Sequence, residues 1–156
     1  MNDQKIHKKR DIFVEGAIPP AFISESIAKH ATRTDIGGHE IFLGQVRADE
    51  QRATSNEQRL IVAIDYTAYR DMANEQMTAI REEAFVRWPG ITCLHVHHSL
   101  GMIKAGGLCF MVFASAPHRQ QAREAVAFVT DEVKKRLPIF GKEILSDGTH
   151  VWKRNS

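Results

Sequence analysis

The sequence predicts an α+β fold, and three observations carry that reading. Apolar runs of strand length, such as Leu108 to Ser115, recur along the chain. Two longer segments, Asp71 to Arg87 and Pro117 to Leu137, place apolar residues at spacings of three and four. The two kinds of segment are mixed without the regular strand–helix–strand rhythm of a parallel α/β protein.

The elements follow in order. Residues 1–10 are polar and basic, with no apolar core, and are expected to form a flexible tail before a single domain spanning 11–156. Ile12 to Ile18 reads as a short strand. Pro19 and Pro20 then open a helix whose apolar face is Phe22, Ile23 and Ile27. Asp35 to Gly38 is a turn. His39 to Arg47 alternates as a strand, with Ile41, Leu43 and Gln45 on one face and Phe42, Gly44 and Val46 on the other. Residues 48–58 are polar and lack an apolar anchor, which predicts a mobile loop suited to covering a ligand. Leu60 to Tyr66 is a strand. The helix from Asp71 to Arg87 has Met72, Gln76, Ala79, Ile80, Glu83 and Ala84 at helical spacing, and Trp88–Pro89–Gly90 stops it. Ile91 to Leu100 is a strand, Gly101 to Gly107 a turn region, and Leu108 to Ser115 a buried strand. In the following helix Ala122, Ala125, Val126, Val129 and Val133 form the apolar stripe, and Pro138 ends it. Ile139 to Leu145 and Thr149 to Trp152 form a terminal hairpin around Asp147–Gly148.

Composition narrows the function. Hydrophobic residues make up 43% and charged residues 26%, the balance of a soluble globular chain. No apolar stretch is long enough to span a bilayer, and nothing argues for export. The formal net charge of +2 is too small for a nucleic-acid-binding domain. The positive charge is local: Lys134, Lys135, Arg136, Lys142, Lys153 and Arg154 crowd the C-terminal quarter. Such a cluster reads either as a solvated helix end or as a pocket for an anionic small molecule. The two cysteines, Cys93 and Cys109, lie in apolar strands. Two reduced thiols in a cytoplasmic protein fit better than a disulfide, which the sequence alone leaves open.

Four constellations could carry chemistry. Ala116–Pro117–His118–Arg119 stands at a strand-to-helix junction, where unpaired N–H groups attract anions and an arginine offers a fork to phosphate. The alternative is that both cationic side chains simply face water. Lys134 to Glu143 places lysines around a proline-broken helix end; a lysine desolvated near other cations has a lowered pKa and can move protons, although surface lysines are the commoner case. Phe42 to Arg47 sets an arginine at a strand end beside the polar loop. His95, His97 and His98 offer two imidazoles on one strand face, but spacing suggests no third ligand, so no metal is expected.

Taken in order, these segments resemble the large, catalytic subunit of molybdopterin synthase, the MoaE family. The resemblance runs from about Ile36 to Trp152. FLGQVR is similar to that family's strand with its G-x-V-R ending, and Tyr69 and Met72 to its Y-x-x-M. RWPGI, His98–Ser99–Leu100–Gly101 and SAPHRQQAREAVAFVTDEVKKRLPIFGKE follow colinearly. The resemblance implies an α/β-hammerhead fold and a cytoplasmic homodimer without a resident cofactor. Each large subunit would bind a small ubiquitin-like sulfur-carrier subunit with a C-terminal Gly-Gly thiocarboxylate, giving a heterotetramer. Sulfur would pass to cyclic pyranopterin monophosphate (precursor Z), forming the dithiolene of molybdopterin.

Carried over by position, Arg47, His118 and Arg119 bind substrate, Lys134 binds and catalyses, and Lys142 is the second catalytic lysine. The chain departs from the family at that second lysine. The usual I-W-K-K/R-E is here Ile139–Phe140–Gly141–Lys142–Glu143, so the expectation is that Lys142 supplies the ammonium from the next position, helped by a bulge at Gly141. Ser99, where many members have arginine, is a second departure. One helix separates His118 from Lys134 by 16 positions, or about 24 Å at the usual rise. A site shared across a two-fold dimer follows, with His118 and Arg119 from one copy and Arg47 and Lys134 from the other. Two rivals stand beside this reading: a non-catalytic relative that still binds the carrier, favoured by Gly141, and an anion-binding regulatory dimer.

Overall fold

A computed structural model describes residues 10–52 and 58–153, and the expected tail therefore falls outside the described residues except for Arg10. The chain runs β1 (Phe13–Glu15), α1 (Ala21–His30), β2 (Gly38–Gln45), β3 (Glu50–Arg52), β4 (Gln58–Ala68), α2 (Arg70–Arg87), β5 (Cys93–Lys104), β6 (Leu108–Ala116), α3 (Arg119–Arg136), β7 (Ile139–Leu145) and β8 (His150–Trp152). The strands pair in the order β2-β6-β5-β4-β7-β8, all antiparallel; β1 adds parallel to β5, and β3 antiparallel to β4. The expected α+β class holds. Among the described residues no helix is long and apolar enough to cross a membrane.

The sheet is covered on both faces, which explains why β6 is apolar without alternation. Phe110, Val112 and Ala114 point into the main core with Leu94 and Val96 of β5, Ala73, Met77, Ile80 and Ala84 of α2, and Ala125, Val126, Val129 and Val133 of α3. Met111 and Phe113 point the other way, into a smaller core with Ile18 and the flanking Phe22, Ile23 and Ile41. The apolar stripe predicted for α3 is the buried one.

Four expectations need correction. In α2 the buried face is Ala73, Asn74, Met77, Ile80 and Ala84, while Met72 is 56% exposed. The stripe begins one residue later because Asn74 turns inward: its side-chain oxygen accepts from Ile12 N–H (3.1 Å) and its amide donates to Asp11 (3.1 Å), docking β1. In α1, Phe22 and Ile23 pack on the smaller core, but Ile27 remains half exposed. β5 continues through Gly101 to Lys104, because Gly101 adopts a positive φ (85°) while still pairing with Tyr66. The polar stretch 48–58 supplies β3 and the first residue of β4, since ladder pairing of Glu50 with Leu60 uses backbone groups and needs no apolar side chain. The tip of that proposed lid, 53–57, lies outside the described residues.

Candidate functional site

The two ends of α3 place the predicted residues. At its start, Gly37 N–H donates to the Ala116 carbonyl (3.0 Å), and a Cβ on Gly37 would fall 2.0 Å from the Pro117 oxygen. Only glycine lets the 35–38 turn lie against this junction. His118 is the N-cap residue, with extended backbone and no side-chain capping bond, and Arg119 opens the helix; both are exposed. Lys134 lies in the last turn. The helix is unbroken, so His118 and Lys134 are separated by the expected distance of about 24 Å. One copy of the chain does not bring all the predicted residues together.

Arg47 and Lys134 do share a cavity. Both line a cavity of about 410 Å³ with Phe42 to Val46 of the β2 end, Ile64, Tyr66, Phe110, Glu143 and Lys153. A register shift between Gly44 and Gln45 ends the β2 ladder, and Val46 is then clamped to the β5–β6 turn: its N–H donates to Gly107 (3.0 Å) and its carbonyl accepts from Gly106 (2.8 Å). This sets Arg47 at the cavity mouth, 84% exposed and paired with Asp49 at 2.9 Å. Such an exposed pair is weak and exchangeable. A smaller adjoining cavity of about 30 Å³ shares Tyr66, Lys134 and Lys153 and adds His98, Leu137 and Gly141.

The electrostatics are those of a partly dry cationic pocket. Lys134 is exposed as a residue, yet its ammonium stands over the Phe110 ring, 5.6 Å from the centroid. Desolvation there holds its pKa below the ordinary lysine range, and the nearby charge of Lys153 adds to the effect. His98 is buried edge-on to Tyr66 (4.9 Å between centroids), its Nδ1 2.8 Å from the Ser99 carbonyl. Burial pushes its pKa down to about 4, with the Lys134 and Lys153 charges pushing the same way. It is neutral at physiological pH. Burial likewise raises the pKa of Tyr66, so the phenol stays protonated.

Lys142 is not in this pocket. Gly141 lies buried on the inner face of β7, so its neighbour points outward, where the Lys142 ammonium stacks over Trp152 at 5.3 Å from the ring centroid. No bulge at Gly141 re-aims it: the pairing of β7 with β4 runs regularly from Ile139 to Ile144. The second lysine that does line the pocket is Lys153, which the sequence reading placed only within a general cluster of charge. The missing signal was hairpin register. A two-residue turn at Asp147–Gly148 would set Lys142 opposite Lys153. The actual three-residue connection, Ser146 to Gly148 with Gly148 at φ 85°, pairs Lys142 with Trp152. Tyr66 carried no mark in the sequence, and His98 stood out only as one of three strand histidines and as part of a family segment, not as a neighbour of Lys134.

The predicted histidine face also proves to have company. His95 and His97 do share the α1 side of β5, where His97 meets Phe22. Cys93 Sγ lies 2.8 Å from Nε2 of both His30 and His95. Cys93 is half-buried and Cys109 buried, and both are free thiols. A separate cavity of about 200 Å³ between α2 and β5, lined by Arg10, Asn74, Arg81, His95 and His97 among others, contains none of Arg47, His118, Arg119, Lys134 and Lys142.

Known proteins share this sequence and this fold. The family described as MoaE protein matches residues 20–136. The molybdopterin synthase catalytic subunit of Pyrococcus abyssi is 38% identical over 143 residues, covering 92% of this chain and 85% of that protein. Catalytic subunit 1 of Aedes aegypti is 36% identical over 121 residues, covering 76% and 74%. Among solved structures, molybdopterin synthase from Staphylococcus aureus superposes with a TM-score of 0.77 at 25% identity, over 95% of this chain and 99% of that one. A complex of subunits 1 and 2 of the molybdopterin-converting factor from Helicobacter pylori has the same fold (TM-score 0.72, 18% identity, 91% and 88% covered).

Proposed function

The chain belongs to the MoaE protein family, and from that premise we propose how its pocket serves molybdopterin synthase. The protein is the catalytic subunit of that enzyme, in molybdenum cofactor biosynthesis. It takes sulfur from the thiocarboxylated C-terminus of a small carrier subunit and places it on cyclic pyranopterin monophosphate. The observation that carries the residue assignment is the single cavity that holds both Arg47 and Lys134. Its volume suits a small ligand, and its cations suit an anionic one. Arg47, free to leave Asp49, takes the phosphate at the mouth. Lys134, already partly desolvated, stabilises negative charge that develops on the thiocarboxylate or moves a proton there.

His118 and Arg119 stand too far along α3 to reach the same ligand, so they serve the pocket of a second copy in a homodimer, with a carrier on each subunit. The carrier tail enters extended beside β2, which has one ladder partner among the described residues and lines the cavity with Phe42 to Gln45. The reaction takes place in the cytoplasm, where the free thiols of Cys93 and Cys109 stay reduced.

A single-turnover assay with thiocarboxylated carrier and cyclic pterin substrate tests this reading. Formation of the dithiolene product supports it. Carrier binding without product would favour instead the non-catalytic relative that Gly141 first suggested.

A further inference from the structure

We propose that Lys153 is the second ammonium of the sulfur-transfer pocket, reaching from the residue just past β8 into the space beside Gly141 on β7. The inference rests on the molybdopterin synthase reading above and names a substrate-contacting residue for it.

The argument begins with the register of the terminal hairpin. β7 and β8 pair Lys142 with Trp152 and Glu143 with Val151, so the next rung sets Gly141 opposite Lys153. The Lys153 N–H donates to the Gly141 carbonyl at 2.8 Å, which extends the pairing to that rung. Residues directly opposite each other on antiparallel strands project from the same face. Lys153 therefore shares the inner face of Gly141, and Lys142 does not.

Space makes the same point. A Cβ built on Gly141 would lie 3.0 Å from Ile64 Cγ2, 3.2 Å from the Tyr66 ring and 3.5 Å from Lys153 Cβ. The volume a side chain at 141 would enter is thus bounded by Lys153 itself. A glycine at 141 and a lysine at 153 are complementary: one opens the inner face, and the other fills it from across the rung. Lys153 lines both adjoining cavities, in each case together with Lys134. Its charge also bears on Lys134 and His98, holding the pKa of each down. Two ammonium groups thus face one ligand space. They suit a ligand with two anionic groups close together, as when a thiocarboxylate meets a cyclic phosphate.

The test is sulfur transfer by the intact enzyme with thiocarboxylated carrier and cyclic pterin phosphate, comparing wild type, Lys153→Ala, Lys153→Arg, Lys142→Ala and the exchange variant Gly141→Lys/Lys153→Ala. We expect Lys153→Ala to slow single-turnover transfer about 10²-fold, the scale of losing one charge-stabilising donor. Lys153→Arg should retain part of the rate, and Lys142→Ala should stay within about twofold of wild type. The exchange variant should recover at least tenfold over Lys153→Ala by returning the ammonium to β7. The alkaline limb of the pH–rate profile supplies a readout that lost packing would not move. In Lys153→Ala, Lys134 loses a neighbouring positive charge, so the limb should shift to higher pH. A folded Lys153→Ala enzyme with rate and alkaline limb both unchanged overturns the inference, and so does a Lys142→Ala loss as large as the one predicted for Lys153. If the exchange variant fails to fold, the alanine and arginine variants decide alone. Failure of the functional reading looks different: wild type itself would then transfer no sulfur.

Discussion

The Lys134 ammonium stands over the face of Phe110, 5.6 Å from the ring centroid, at the point where the last turn of α3 meets the sheet. Cation–π attraction holds the charge there, while desolvation and the Lys153 charge make the proton easier to lose. The pH-rate profile of sulfur transfer should therefore turn down below 10.5, the ordinary lysine value. Lys134→Ala should lower the rate about 10²–10³-fold and remove that limb. The sign for stability is opposite to that for activity. The unfolded chain holds this proton more tightly, so the contribution of Lys134 to stability rises with pH between the folded and unfolded pKa values. An unchanged rate in a folded Lys134→Ala enzyme would contradict the role given to this residue.

His98 and His95 make a prediction at the acid end. Burial pushes both down to about 4 from 6.5. Between those values the unfolded chain binds protons that the folded chain refuses, so stability is complete above about pH 6.5 and is lost as pH falls toward 4. Urea midpoints measured across that window should drop by the equivalent of at least about 1 kcal/mol. The slope should flatten in His98→Gln. A midpoint independent of pH from 7 to 4 would show that these imidazoles are not buried neutral.

Gly37 predicts a structural cost at the other end of α3. The Pro117 oxygen lies 2.0 Å from where a Cβ would sit, and backbone cannot swing aside as a flexible side chain does. Gly37→Ala should destabilise the protein by about 1–3 kcal/mol in denaturant titration. It should also displace the His118–Arg119 junction, which raises KM for the pterin phosphate more than it lowers kcat. Unaltered stability would mean that the turn does not rest on this junction.

Much of the fold was legible because strong signals agreed. The apolar run of β6, the stripe from Ala122 to Val133 and the stop at Pro138 each had one reading, and the structure follows them. The site was legible in part for the same reason: Arg47 at a strand end and Lys134 at a helix end keep their positions whatever the details of packing. The rest depended on relationships that one strand cannot reveal. Lys142 is turned outward by the alternation of β7 itself, and whether Lys153 faces the pocket turns on one residue of hairpin register, set by a three-residue connection with Gly148 at positive φ. The α2 stripe was read one residue early because Asn74, a polar residue, takes a buried place by bonding to Asp11 and the Ile12 N–H. The smaller cavity brings together Tyr66, His98 and Lys153 from three separate strands or strand ends, with no local pattern to announce that the three would meet.

The most direct measurement is complementation between two inactive variants. His118→Ala and Lys134→Ala lie at opposite ends of one helix but, in a two-fold dimer, would each leave one of the two shared pockets intact when mixed. After subunit exchange, verified by mass spectrometry of differently tagged chains, the mixture should recover up to about a quarter of wild-type sulfur-transfer activity, because half the dimers are mixed and each carries one complete pocket. Activity no higher than that of either variant alone, with mixed dimers present, would show that His118 and Lys134 do not meet across two copies of the chain.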